Sequence, residues 1–524
     1  SMSDAKKWFD LTADVDTSKS GELIFAGGSA WSLSGRSGET AQFDGQEERN
    51  LVSFHRLKPL IGVPVFAVVT GCVANHTFAL TEKGIFAWGR NENGELGLGD
   101  QVNRYNPTLV TKISNLSDPI VGGACGDKHT LLYSKLGILY TCGDNEFGQL
   151  GNGHSGNTTI NISPLSIISG VRTAGAGRGF SCVADKAGSC YTFGYPKDGI
   201  LGHGTEGKFL GTGNKWEYAC ETRPRKLEAL TGVKIAQVSC GARHTIAADE
   251  HGRVYTWGFG GYGRLGHGDN KNQFLVKALE FFHNEPEKPP PNANPLFFRP
   301  KKPRRLKHVA AGSRCCYGID EYGRLYFWGI TKSSGEATMY PKPYNGLQGW
   351  NVRSVASGFS STIVASDSLI TWGPSPTSGE LGYGEKGPKS STIEKIVEDL
   401  EDAYVLKVGM GYRHSLAIVE LADGGDKLVE KLPVFEPLEL KDMPKREASS
   451  KKSSKKRKRE EDDDEEEEDE DEDEDEEEKE EEDITKLTVK ALKQRLKDHG
   501  LKISGNKPKL VARLKSHMKK KAKK

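Results

Sequence analysis

Six times between residues 69 and 385 the same alternation of apolar and polar stretches returns. An apolar run ends in a glycine turn, a second apolar run follows, a short polar turn comes next, and a third run closes on an aromatic residue or cysteine before glycine. The six copies read VTGCVANHTFALTEKGIFAWG (69–89), VGGACGDKHTLLYSKLGILYTCG (121–143), RTAGAGRGFSCVADKAGSCYTFG (172–194), IAQVSCGARHTIAADEHGRVYTWG (235–258), HVAAGSRCCYGIDEYGRLYFWG (308–329) and VRSVASGFSSTIVASDSLITWG (352–373). Short apolar runs bounded by Gly, Asp and Asn are strands joined as hairpins, so each copy predicts a small antiparallel sheet. A sheet repeated at a period near 50 residues points to a β-propeller.

A second block follows most copies. It reads RNENGELGLG, DNEFGQLGNG, YPKDGILGHG, FGGYGRLGHG and PSPTSGELGYG, each carrying G-x-L-G-x-G, with first glycines Gly94, Gly148, Gly199, Gly263 and Gly379. In one copy Gly258, Gly260 and Gly263 spell G-x-G-x-x-G, the fingerprint of a dinucleotide-binding turn. That fingerprint works only where it opens a helix. Here DNKNQFLVK follows with no helical apolar stripe, and five copies of one glycine frame cannot all hold a cofactor. The glycines are expected instead in tight turns with positive φ, where neighbouring strands approach closely.

A seventh half-copy, VLKVGMGYRHSLAIVE (405–420), lacks its third strand, while the N-terminal stretch LIFAGGSAWSLSGR (23–36) supplies one. Pairing the two termini in one blade closes the ring and removes its open edge. The fold class is therefore an all-β seven-bladed propeller over 23–440, after an N-terminal extension, 1–22.

The paired G-x-x-H-[ST] and G-x-L-G-x-G signatures resemble the repeat of the regulator of chromosome condensation family. TWGFGGYGRLGHGD, GEATMYPK (335–342), SLITWGPSPTSGELGYG (368–384) and MGYRHSLAIV (410–419) are closer still to its second branch. The resemblance implies a seven-bladed propeller that binds chromatin. The founding member catalyses guanine-nucleotide exchange on the small GTPase Ran. The second branch implies roles in chromosome segregation, at centromeres and microtubules, and in regulating Rac- and Arf-type GTPases.

His76, His129, His244 and His414 share one phase of the repeat, each before Thr or Ser. Phe180 and Ser360 stand at that phase in two other copies, which argues against a metal ring or a catalytic cluster converging on the axis. The histidines are expected to tie strands together, and no cofactor, metal or covalent chemistry is expected. The nine cysteines are scattered, without C-x-x-C; the only close pair is Cys315-Cys316. This points to a reducing compartment rather than a disulfide or zinc framework. Ser1 ahead of Met2 reads as an expression remnant, no signal peptide is evident, and the most apolar stretch, 61–74, is too short to span a bilayer.

Irregular segments mark the places where function usually sits. Residues 205–231 lengthen what reads as an inter-blade segment. Residues 283–305 form a Pro-rich excursion ending in Lys301, Lys302, Arg304 and Arg305, either a solvated loop or a contact for phosphates or an acidic partner. Exchange factors press a wedge of surface against a GTPase, and 330–336 is a candidate for one.

Charge changes the picture beyond residue 440. The formal net charge of +1 hides +8 over 441–459, −22 over 460–483 and +14 over 484–524. Lys445, Arg446 and the cluster Lys455, Lys456, Arg457, Lys458 and Arg459 resemble a bipartite nuclear localisation signal. The nearly pure Asp/Glu run cannot bury a core and reads as a disordered spacer that can also bind histones.

In 484–518, Thr488 can cap a helix that stops at Gly500, with Val489, Leu492 and Leu496 on one stripe. A second helix has Pro508 in its first turn and Leu510, Val511 and Leu514 inward. The order Leu487, Leu492, Leu496, Gly500, Leu501, Gly505, Lys507, Leu510, Arg513, Leu514 closely resembles the SAP motif, a DNA-binding helix-extended-helix. That resemblance implies DNA contacts at Gly505, Asn506, Lys507, Lys509 and Arg513, with the basic tail 519–524 adding attraction. The expected whole is a monomeric nuclear, chromatin-associated adaptor that binds DNA through SAP and proteins through the propeller, with no membrane partner. The alternatives are an exchange factor for a small GTPase and a cytoskeletal or adhesion scaffold.

Overall fold

The computed structural model describes residues 17–29, 50–284, 303–330, 337–376, 378–421 and 425–436. They form seven antiparallel blades around one axis. Blade 1 runs Val65–Val69, His76–Thr81, Gly84–Gly89, Arg104–Leu109, and blade 2 Ile120–Cys125, His129–Ser134, Leu139–Gly143, Thr159–Leu165. Blade 3 runs Val171–Ala176, Phe180–Asp185, Cys190–Gly194, Glu221–Lys226, and blade 4 Ile235–Cys240, His244–Asp249, Val254–Gly258, Gln273–Ala278. Blade 5 runs His308–Ala311, Cys315–Ile319, Leu325–Gly329, Thr338–Pro343, and blade 6 Ser354–Ser357, Thr362–Ala365, Leu369–Gly373, Ser391–Ile396. First strands of successive blades lie against one another around the axis, and that of blade 7 meets that of blade 1.

Blade 7 joins the termini. Val405–Met410 and His414–Val419 pair with Glu22–Gly28 and Asn50–Leu57, and Val434–Phe435 adds a short parallel strand outside. Leu23, Ile24, Phe25 and Ala26 are at most 1% exposed, so the N-terminal strand is core.

The outer strands of blades 1, 3, 5 and 6 carry little sequence signal. RYNPTL, ETRPRK, TMYPKP and STIEKI are polar and half-buried or exposed at nearly every position, and three hold proline. Charges and proline suit an outer edge, because they discourage pairing with another chain. The repeat unit is therefore four strands, not the three its apolar runs indicate. Residues 205–231 also depart from the expected inter-blade segment. The extra residues do not lie between blades but inside blade 3, ahead of its outer strand. They form a hairpin of Lys208–Leu210 and Trp216–Tyr218. Its KFLGTGNKWEY sequence carries the strand–turn–strand signal in plain form.

Buried leucines and aromatic residues fill the space between blades. Leu96, Leu150, Leu201, Leu265 and Leu381 of the glycine loops are at most 2% exposed. Each loop leans on the following blade. Gly94 has φ +76°, and a Cβ there would sit 2.5 Å from Ile160 Cα in the outer strand of blade 2. Gly148 repeats this, with φ +79° and Thr222 Cα of blade 3 at 2.7 Å. Any side chain would both strain the backbone and push the blades apart. Gly199, Gly263 and Gly379 meet Phe274, Met339 and Val52 in the same way. The G-x-G-x-x-G stretch forms a one-turn 3-10 element at Gly261–Gly263 and runs on to the outer strand of blade 4, with no helix after it.

Candidate functional site

Each repeat histidine begins a second strand and pairs with a glycine at the end of the third: His76 with Gly89, His129 with Gly143, His244 with Gly258, and His414 with Gly27, one residue before the strand ends. The first-to-second-strand turns and the glycine loops therefore emerge on one face. The blade 3 hairpin follows the glycine loop of that blade. It exposes Phe209 (45%), Leu210 (57%) and Trp216 (61%), with Lys208 Nζ 4.8 Å from the Trp216 ring centroid.

At the centre of this face the ring is plugged. Blade 1 places six residues, 70–75, between its first two strands, where blade 2 has three, 126–128. Cys72 and Val73 from the longer turn are buried against Ala242 of blade 4, across the axis. Burial pushes the Cys72 thiol up to about 12, so it stays protonated and unreactive near neutral pH.

The histidines hydrogen-bond to the next blade. His76 Nε2 lies 2.8 Å from Thr130 Oγ1, His129 Nε2 2.9 Å from Ser181 Oγ, and His414 Nε2 2.8 Å from Thr77 Oγ1 across the closure. His244 Nε2 lies 3.2 Å from Cys316 Sγ. Thr130 donates its hydroxyl proton to the Glu95 carbonyl at 2.7 Å, and Ser181 to that of Gln149 at 2.8 Å. The imidazole must then donate from Nε2, which assigns the tautomer. Burial lowers these histidines to about 3 (His76, His244, His414) or 4 (His129), so they are neutral at pH 7. Phe180, Cys315 and Ser361 occupy the phase in blades 3, 5 and 6. In blade 6 the residue is Ser361, not the neighbouring Ser360, because Thr362 pairs with Trp372 as Thr77 pairs with Trp88. Among the described residues, no three His, Cys, Asp or Glu side chains are placed to hold a metal ion.

Glu95 is a buried carboxyl between blades. Its Oε2 accepts from the Asn93 backbone N–H at 2.9 Å, yet burial raises it from 4.5 to about 7. The folded state then holds its proton more tightly than the unfolded chain. Stability associated with this group is full below pH 4.5 and is lost as pH rises through 7, by up to about 3 kcal/mol. Blade 2 has Gln149 here, whose Oε1 accepts from the Phe147 N–H at 2.8 Å. Glu95→Gln is therefore expected to raise the melting temperature at pH 8 and leave it nearly unchanged at pH 4.5. A lower melting temperature at pH 8 would sink this assignment.

Of the basic group ahead of blade 5, Arg305 is spent on structure: its Nη1 donates to the Phe282 carbonyl at 2.7 Å and its Nη2 to that of Asn284 at 3.1 Å. Arg304 lies over Phe281, Cζ 4.4 Å from the ring centroid. Lys301, Lys302 and residues 331–336 of the candidate wedge lie outside the described residues. So do the localisation cluster Lys445, Arg446 and Lys455–Arg459, the acidic run, and Gly505, Asn506, Lys507, Lys509 and Arg513.

Comparison with known proteins adds to this geometry. A "Regulator of chromosome condensation (RCC1) repeat" model matches residues 84–133, 187–248 and 251–319, and a "SAP domain" model matches 483–519. Protein RCC2 of Homo sapiens is 38% identical over 437 residues, covering 80% of this chain and 80% of its own length. The crystal structure of human WBSCR16 superposes with a TM-score of 0.59 at 18% identity, over 77% of this chain and 99% of that one. Prp20p from Saccharomyces cerevisiae superposes with 0.57 at 15% identity, over 80% and 95%. The two structural matches speak to the fold alone.

Proposed function

Because this chain belongs to the regulator of chromosome condensation repeat family, in the branch of Protein RCC2, we propose that it is a nuclear chromatin-associated adaptor. The propeller binds protein partners, the module at 484–518 binds DNA, and 441–483 links them, with Lys445–Arg459 directing the chain to the nucleus. The observation that carries this reading is the SAP domain match at 483–519 behind a complete propeller in the same chain. Gly505, Asn506, Lys507, Lys509 and Arg513 are the proposed DNA contacts, and histones are proposed partners of the acidic run. The histidines and loop glycines belong to blade-to-blade packing in this account, and no covalent chemistry is assigned to them. In fractionated nuclei the protein is expected to pellet with chromatin and to be released by nuclease digestion; a wholly soluble protein before digestion would count against it.

A second reading, a guanine-nucleotide exchange factor, is favoured by the exposed Phe209, Leu210 and Trp216 on the blade 3 hairpin, a shape able to press against a partner. Prp20p has binding properties toward Gsp1p and histones, which makes a small GTPase a reasonable partner to test for this chain. The adaptor reading expects release of fluorescent GDP from Ran, Rac and Arf GTPases to stay at its basal rate with the full chain. Strong acceleration on one of them, lost on Trp216→Ala, would install the exchange-factor reading instead.

A further inference from the structure

The first-to-second-strand turns carry Arg178 in blade 3, Arg243 in blade 4, Arg314 in blade 5 and Arg413 in blade 7, all partly exposed around one end of the axis. Aromatic rings join most of them into a continuous arc. Arg243 Cζ lies 4.3 Å from the Phe259 centroid, and Arg264 Cζ lies 4.6 Å from the same ring and 5.6 Å from Tyr262. Arg314 Cζ is 5.5 Å from Tyr262 and 5.6 Å from Phe359. Phe359 packs on Tyr412 at 4.7 Å, and Arg413 Cζ is 5.3 Å from Tyr412. The arc thus crosses blades 4 to 7 without a break.

Its members differ in how they are spent. Arg243 is ion-paired with Asp198, and Arg264 is buried, bonded to the Gly261 and Ser313 carbonyls. Among the described residues, Arg314 and Arg413 have ring contacts but no carboxylate in ion-pair reach. A guanidinium lying over a ring has its plane fixed while its N–H edges stay available, so less conformational freedom is lost when it grips a carboxylate.

We propose that this arc is the docking site for an extended, carboxylate-rich peptide segment of a partner protein. The proposal rests on the reading of the propeller as a protein-binding platform and names the chemistry of what it binds. Charge on the rest of the face selects a peptide over a nucleic acid. The equivalent turns and loops of blades 1 to 3 break any basic track: Lys128, Arg178 and Lys197 there are interspersed with the carboxylates Glu92, Asp127, Asp144 and Glu146. A phosphate backbone tracking across the face would run into them, whereas a peptide seated over blades 4 to 7 need not. The aromatic rings also offer apolar contact to the stems of Glu side chains, which sugar-phosphate lacks.

The test uses the full chain and a synthetic peptide of about twelve Asp and Glu residues bearing a benzophenone, at near-physiological salt, where long-range attraction is screened. Cross-links are mapped by proteolysis. Expected are adducts in the turns 312–314, 358–360 and 411–413, lost at least tenfold in Arg314→Glu/Arg413→Glu with its melting temperature unchanged. Lys507→Glu/Arg513→Glu is expected to leave those adducts in place. Adducts confined to 484–524, or unaffected by the arc substitutions, would overturn the proposal. So would displacement of the peptide from the arc by oligothymidylate at lower concentration than by the unlabelled peptide. Any of these outcomes removes the arc and leaves the adaptor reading standing, since that is tested separately by chromatin fractionation and GDP release.

Discussion

Removal of residues 1–57 is expected to leave no folded propeller. The deletion takes away Glu22–Gly28 and Asn50–Leu57, the third and fourth strands of blade 7. With them go Leu23, Ile24, Phe25, Leu51, Phe54 and Leu57, none more than 5% exposed. At about 1.5–3 kcal/mol for each large buried side chain, the loss is roughly 9–18 kcal/mol, which matches or exceeds the whole stability of a typical domain. It also bares His414–Val419 as an open edge beside blade 1. The shortened chain should be insoluble or lack a cooperative melt. Truncation after residue 436 removes none of the described core and should leave the melt in place. A cooperative transition near the full-length temperature after loss of 1–57 would mean that the ring does not need its N-terminal strands.

Lys507→Glu with Arg513→Glu should weaken DNA binding by the full chain about a hundredfold at moderate salt. Each substitution removes a phosphate-neutralising charge and installs a repelling one. Two lost phosphate contacts should also flatten the dependence of log affinity on log salt by about 1.8. The basic run 519–524 remains, so a weak, salt-sensitive residue of binding should persist. Affinity within twofold of the unsubstituted chain would leave the SAP module without its assigned role.

How much was legible depended on how much each residue buries. The aromatic-Gly strand ends, the histidine phase and the glycine loops stand out because they pack between blades, where few residue types fit. Closure through both termini was readable because one half-repeat at 405–420 needed the strand that 23–36 supplies. The outer strands were not, because Glu221–Lys226 or Ser391–Ile396 bury little and so show no apolar alternation. The plug formed by Cys72 and Val73 appears in sequence only as a longer turn; its partner Ala242 lies across the ring, a relation that linear spacing does not carry. Arg314 and Arg413 occupy one repeat phase, yet the ring contacts joining them run through Tyr262 of blade 4 and Phe359 of blade 6 before reaching Tyr412 beside Arg413. The SAP pattern was readable because its leucine and glycine spacing is specific, and a family model matches it.

The central claim is a division of labour, with DNA held by the C-terminal module and protein held by the propeller. The most direct measurement is a salt titration of duplex DNA binding by the full chain carrying Arg314→Glu and Arg413→Glu, beside the unsubstituted chain and Lys507→Glu/Arg513→Glu. A division of labour predicts that the propeller substitutions leave affinity and salt slope unchanged while the C-terminal ones lower both. A reduced slope in the propeller variant, with the C-terminal variant unaffected, would contradict it and make the arginine face the DNA reader.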